Sequence, residues 1–276
     1  MPHLWLEFAL ALYALAMFFA VASLTGLAGK TTQWLAPVMG VGALFHFVSL
    51  LETSIQNGQL APVNPAQSES ALAFLLVAVF LLVYGFYKTS THGVIIAPIV
   101  FLLALASALS EKQPGVTLGV SVPAIWIYLH IAMIFAGYAA LFLSFVSSVF
   151  YLVQERSLKT KNMGGLASRM PALAVLDDIS GKTLQAGFPF MTVGLALGVM
   201  IGFMMEGPAP FLDSKVILST LMWILYVFLL FMRWKAGVRG RNAAVLSLFA
   251  TLLAASSWAA HYLSVMSASG GGALKP

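Results

Sequence analysis

Eight apolar runs of roughly span length, separated by short polar connections, constrain this chain more than any other feature. A helix needs about 20 apolar residues to cross roughly 30 Å of hydrocarbon. The runs fall at about 4–27, 33–53, 70–88, 93–110, 124–152, 184–205, 215–234 and 243–265. Only helices and closed barrels satisfy backbone polar groups in lipid, and the period-2 alternation of a barrel strand is missing. The expected fold is therefore all-α, a polytopic membrane bundle of about eight transmembrane helices. Charged residues are 8% of the chain and hydrophobic ones 61%, far from the charged quarter of a soluble domain. No stretch long enough to bury a core of its own lacks a span. Residues 1–265 thus read as a single transmembrane domain, and 266–276, ending in "SASGGGALKP", as a flexible tail. The first run lacks a basic leader and a small-residue cleavage site, so it reads as a retained helix.

Lysine and arginine set the orientation. The first, third, fifth and seventh connections hold 11 of the 14 basic residues, from Lys30 and Lys88 to Arg156, Arg169, Lys182, Arg233 and Arg241. The opposite side holds Lys112, Lys215 and Lys275. By the positive-inside rule both termini face outward. The net charge of +5 is then loop charge that orients the protein, and it implies lipid as a partner, not nucleic acid. There is no cysteine, which excludes thiol redox chemistry, disulfides and thiolate ligation by this chain.

The fifth connection, about 154–183, is the longest and is basic. Within it "PALAVLDDIS" places Leu173, Leu176 and Ile179 on one helical face, which predicts a short helix lying in the cytoplasmic interface.

A histidine inside an apolar span loses its water and needs a partner, which makes it a functional candidate. Of five histidines, His46, His130 and His261 all fall in the outward leaflet. His3 reads as a solvated terminus and His92 as a cytoplasmic helix cap. Neutral imidazole is a common metal ligand and an axial ligand to haem iron. His130 and His261 are the preferred ligand pair; His46 reads equally as an inner ligand or as a core histidine held by a carbonyl or by Ser49. Trp126 and Trp258 precede His130 and His261 by four and three residues, on the same helical faces. Such rings suit the walls of a flat macrocycle, and they also suit an interfacial aromatic belt. Glu7 and Glu52 are candidate partners for these histidines, and Met133, then Met204 and Met205, are alternative soft ligands.

Hydrolytic and nucleotide chemistry are not supported: there is no phosphate-binding glycine loop and no HExxH. Gly194, Gly198 and Gly202 recur every fourth residue, a pattern that lets helices approach closely.

The stretches "WIYLHIAMIFAGYAALF", "MPALAVLDDISGKTLQAGFPFMTVGLALGVMIG" and "DSKVILSTLMWILYVFLLFMRWKAGVRGRNAAVLSLFA" resemble, in order and spacing, the cytochrome c assembly family of membrane proteins (CcsA, CcmC and HemX/YpjD-type relatives). The family-like core is about 124–265, and upstream "NGQLAPVNPAQSESALAFLL" resembles the CcsA branch. The resemblance implies haem ligation at the outer face, with His130 and His261 as axial ligands to iron and His46 at the position of an inner haem site. The family's haem-handling members carry a WGxxWxWDxKE-like stretch after the sixth span; this chain has "MMEGPAPFLDSK", which keeps Asp213 and Lys215 and lacks the tryptophans. That departure points to the HemX/YpjD-type branch.

The implied function is a haem-binding membrane protein of cytochrome c biogenesis that holds or relays haem b, with Trp126, Trp258 and Asp213 shaping the site. The resemblance implies either no independent catalytic activity or a part in haem transfer, in the bacterial inner membrane, with haem, other cytochrome c maturation proteins and apocytochrome c as expected partners. Two alternatives are a HemX-like regulator or anchor of a haem-synthesis enzyme, docking through the fifth connection, and a cation or small-metabolite transporter using His46, Glu7 and Glu52.

Overall fold

The computed structural model describes residues 4–25, 31–58, 64–110, 122–161, 164, 167–206, 214–235, 237 and 239–270, with backbone alone at 25, 65, 206, 214, 215, 254, 257, 258 and 260–270. These residues form eight α-helices and one 3₁₀ turn, Ala167–Arg169, with no strand among them. The helices are α1 (Leu4–Thr25), α2 (Thr32–Asn57), α3 (Pro65–Tyr87), α4 (Gly93–Leu109), α5 (Ala124–Lys159), α6 (Leu173–Glu206), α7 (Ser214–Trp234) and α8 (Arg241–Gly270). They match the eight apolar runs in order. Among the described residues six of them are long and apolar enough to cross a membrane; α4 has 17 residues, and α8 is described with side chains continuously only over Arg241–Leu253. The tail expected over 266–276 is helical as far as Gly270, and the rest of it lies outside the described residues.

Packing divides the helices into two groups of four. In the first, α1 and α3 each pack on both α2 and α4. The second repeats that circuit, with α5 and α7 each packed on both α6 and α8, and α3 joins the groups through α5. Tyr13, Met39 and Phe80 are fully enclosed in the first core; Leu184, Tyr226 and Leu229 are fully enclosed in the second. Large apolar side chains such as Phe18, Phe86 and Leu82 point outward, as a lipid-solvated bundle requires.

The expected interfacial helix is absent as a separate element. Its residues are the first turns of α6, which runs unbroken for 34 residues, about 51 Å at 1.5 Å per residue. Leu176 and Ile179 are fully buried in the first core, and both aspartates have partners inside the protein. The Asp177 carboxylate accepts from Arg233 Nη2 and from the Gly240 N–H, each at 3.2 Å. Arg233 also donates to the Asp177 carbonyl at 3.3 Å and to Ser180 Oγ at 3.2 Å. A Cβ at Gly181 would come within 2.6 Å of this guanidinium, so the glycine provides its space. Asp178 accepts from the Tyr87 hydroxyl at 2.6 Å and pairs with Lys182 at 2.9 Å. The Asp-Asp pair therefore fastens α6 to α3 on one side and to the α7–α8 turn on the other.

Arg233 and Asp177 side chains are 8% and 17% exposed, so removing one partner strands a largely buried charge. Arg233→Met should cost about 3 kcal/mol, read as a lower thermal unfolding temperature in detergent, and adding Asp177→Asn should recover part of the loss. A single variant that melts like the wild type would show that this clamp does not hold α6.

Candidate functional site

His130 lies on the second turn of α5, and its ring is held by α6. Nδ1 is 2.7 Å from the carbonyl oxygen of Gly194. A carbonyl can only accept, so Nδ1 carries the proton and the neutral ring keeps its lone pair on Nε2. No other hydrogen bond to the ring occurs among the described residues. Metal-ligating histidines are oriented in this manner, one nitrogen donating to a carbonyl and the other free for the metal. The ring rests over Gly198, where a Cβ would come within 2.6 Å of Cε1 and 3.1 Å of Nδ1. A Cβ at Gly194 would meet the Ile134 side chain at 2.8 Å. The glycine repeat of α6 thus brings α5 close, as its spacing predicts, and one of its gaps is filled by an imidazole.

His261 and Trp258 lie on α8, where the backbone is helical and the side chains fall outside the described residues. Depth follows from register. Ser144 Oγ on α5 meets Ser247 Oγ on α8 at 3.0 Å, and the two helices run antiparallel by their order in the four-helix circuit. Positions 130 and 261 are each 14 residues outward from that contact, about 21 Å along either helix. They therefore share a depth. Fourteen residues advance an ideal helix to within about 40° of its starting face, so both backbone positions lie near the faces by which the two helices meet.

His46 belongs to the first group. Its ring is fully buried, with Nδ1 3.2 Å from the Tyr13 hydroxyl and Nε2 2.8 Å from Ser70 Oγ, and Phe74 packs edge-on against it. Its partners come from α1 and α3, not from Ser49 or a carboxylate. Glu52 instead accepts from Gln56 at 3.2 Å, and Glu7 is exposed. The structure does not bring His46 to the α5–α6 seat.

Trp126, one turn before His130, is 38% exposed and has no ring contact among the described residues. Met204 and Met205 are exposed and Met133 is half-buried. Asp213 lies outside the described residues, and Lys215 is described by backbone alone. His92 differs from expectation: it occupies the N-cap position of α4 without a side-chain cap bond, and its ring is fully buried with Nε2 2.9 Å from Ser147 Oγ on α5.

Among the described residues no group of three or more His, Cys, Asp or Glu side chains converges as a metal site. What the α5–α6 seat offers is one oriented imidazole with a nitrogen left open. A bare ion is poorly served by one donor, whereas iron in a porphyrin takes its equatorial nitrogens from the macrocycle and needs only axial ligands.

The model of a protein family described as cytochrome C assembly protein matches residues 62–264, which takes in α3 and α4 as well as the region from 124 onward. An uncharacterized 28.8 kDa protein of Azospirillum brasilense is 31% identical over 159 residues, covering 58% of this chain and 59% of the relative. Protein HemX of Brevibacillus brevis is 25% identical, covering 66% of each chain. The cytochrome c biogenesis protein CcsA of Guillardia theta is 25% identical, covering 65% of this chain and 66% of the relative. The chain therefore spans somewhat under two thirds of the length of these relatives. With the family match extending over most of the sequence, the chain belongs to the cytochrome c assembly protein family.

Proposed function

We propose that this chain is a haem-handling membrane protein of cytochrome c biogenesis, holding haem at the outward ends of α5 and α8. The observation that carries the reading is the Nδ1 bond of His130 to the Gly194 carbonyl at 2.7 Å, which leaves Nε2 free as a donor toward iron. The shared depth of positions 130 and 261 supports His261 as the opposite axial ligand. Bound haem supplies a redox-active iron with two axial positions. The chain's own residues hold its orientation, and the surrounding apolar helices exclude water. Trp126 and Trp258 are proposed as walls of the site and Asp213 as a residue at its mouth. The lack of cysteine means that covalent attachment draws its thiols from apocytochrome c and its reductant from other maturation proteins. Distribution of Lys and Arg supports an outward site in a bacterial inner membrane.

The two hydroxyls on His46 support a core role for it, since an iron ligand role there requires one of them to leave. The HemX relative favours a second reading, a membrane anchor for a haem-synthesis enzyme that docks on the basic connection between α5 and α6. Met170 at the end of that connection is buried in the first core, so a deletion that probes docking must stop short of it.

Purified protein loaded with haem should show a Soret band that His130→Ala and His261→Ala each weaken sharply; unchanged spectra in both would remove the ligand assignment. His46→Ala should keep the band while lowering thermal stability by about 2 kcal/mol, because Tyr13 and Ser70 lose a buried partner. Loss of the band in His46→Ala without loss of fold would instead return His46 to the ligand set.

A further inference from the structure

We propose that Gly194 and Gly198 of α6 are positioning residues that set the tautomer and seating depth of His130. The inference rests on the haem reading of the same histidine and adds the element that controls it. Two separate features of α6 meet on one ring. The Gly194 carbonyl holds the proton on Nδ1 at 2.7 Å, and the missing side chain of Gly198 leaves the volume in which the ring lies. A Cβ at position 198 would stand 2.6 Å from Cε1, 3.1 Å from Nδ1 and 3.5 Å from Nε2. The first of these distances is shorter than nonbonded carbons tolerate, so a side chain there must displace the ring. Displacement acts first on the Nδ1 bond, because Nδ1 is the nearer nitrogen. Once that bond is lost, nothing on α6 prevents the proton from moving to Nε2, and an Nε2–H imidazole cannot donate a lone pair from that atom.

The carbonyl also affects the strength of the donor. A hydrogen bond given by Nδ1 makes Nε2 more electron-rich, and outer-shell partners of this kind tune metal affinity and redox behaviour. Gly194 contributes in a second way, through the approach of the two helices. A Cβ there would stand 3.0 Å from the Ile134 backbone nitrogen, so substitution pushes α5 away from the carbonyl that His130 reaches. Gly85 on α3 supplies a matched control, since nothing lies within 4 Å of a Cβ built on it.

The test uses the full-length protein in detergent, with histidine nitrogens labelled for NMR in the haem-free state and hemin titrated separately. The His130 signals are assigned by their loss in His130→Ala. Wild-type His130 should show a protonated Nδ1 and an unprotonated Nε2 before any haem is added. Gly198→Ala should lose that signature and bind hemin about 10- to 100-fold more weakly, with Gly194→Ala acting in the same direction and Gly85→Ala unchanged. A wild-type ring protonated on Nε2 overturns the inference whether or not the variants fold. So does a folded Gly198→Ala that keeps both the signature and the hemin affinity, although the haem reading then survives. If His130→Ala binds hemin like the wild type, the haem reading fails, and the tautomer measurement alone decides whether α6 seats the ring.

Discussion

In hydrocarbon a buried polar side chain cannot return to water, so the helix that carries it is committed to whichever neighbour answers it. That constraint fixes the register of this bundle. Ser144 on α5 meets both Ser180 on α6 and Ser247 on α8 at 3.0 Å, which ties three helices at one level. Tyr13, His46 and Ser70 do the same for α1, α2 and α3. Apolar packing alone tolerates sliding by a turn; a hydroxyl with one partner within reach does not.

The serine level has a consequence for chemistry. Once α5, α6 and α8 are tied there, the outward parts of all three helices are in fixed register, and the depth of position 130 relative to 194 and 261 is no longer adjustable. The inner clamp of Asp177, Arg233 and Gly240 adds a second tie at the start of α6. A seat made of one carbonyl and one missing side chain is demanding, because a slip of one residue along α6 moves both. The polar ties at the inner half are what allow so small a device to work at the outer half.

Much of the fold was legible in the sequence, since each apolar run is long enough to define its own helix. The beginning of α6 was not. Asp177, Asp178 and Lys182 break the hydropathy of that stretch, and their partners on α3 and α7 lie 56 to 91 residues away, beyond any local pattern. His130 was visible for the same reason that it matters, an imidazole in an apolar run. Its partner was not visible, because every residue carries a carbonyl and the glycine repeat says only that something approaches closely. His92 reads as a cytoplasmic helix cap; that its ring meets Ser147 and Phe150 depends on a helix more than 50 residues away. For His46 the sequence leaves an inner ligand, a carbonyl and Ser49 open, because the hydroxyls that hold it, Tyr13 and Ser70, belong to other helices.

The degenerate loop between α6 and α7 bears on how such a site can be used. Aromatic rings that stack on a porphyrin hold its plane without bonding its iron, and so can keep it in place while axial ligands exchange. In "MMEGPAPFLDSK" the tryptophans are missing and Phe211 is the one aromatic residue, which on the proposed haem reading shifts the burden of holding toward the axial donors. An imidazole anchored through Nδ1 to a second helix would suit that burden: it cannot rotate away without breaking its hydrogen bond to the Gly194 carbonyl. On that reading the same anchoring would slow release of the porphyrin. Under the proposed function such a seat would favour retention of haem over its presentation, and transfer to an acceptor would depend on a partner that competes for the iron.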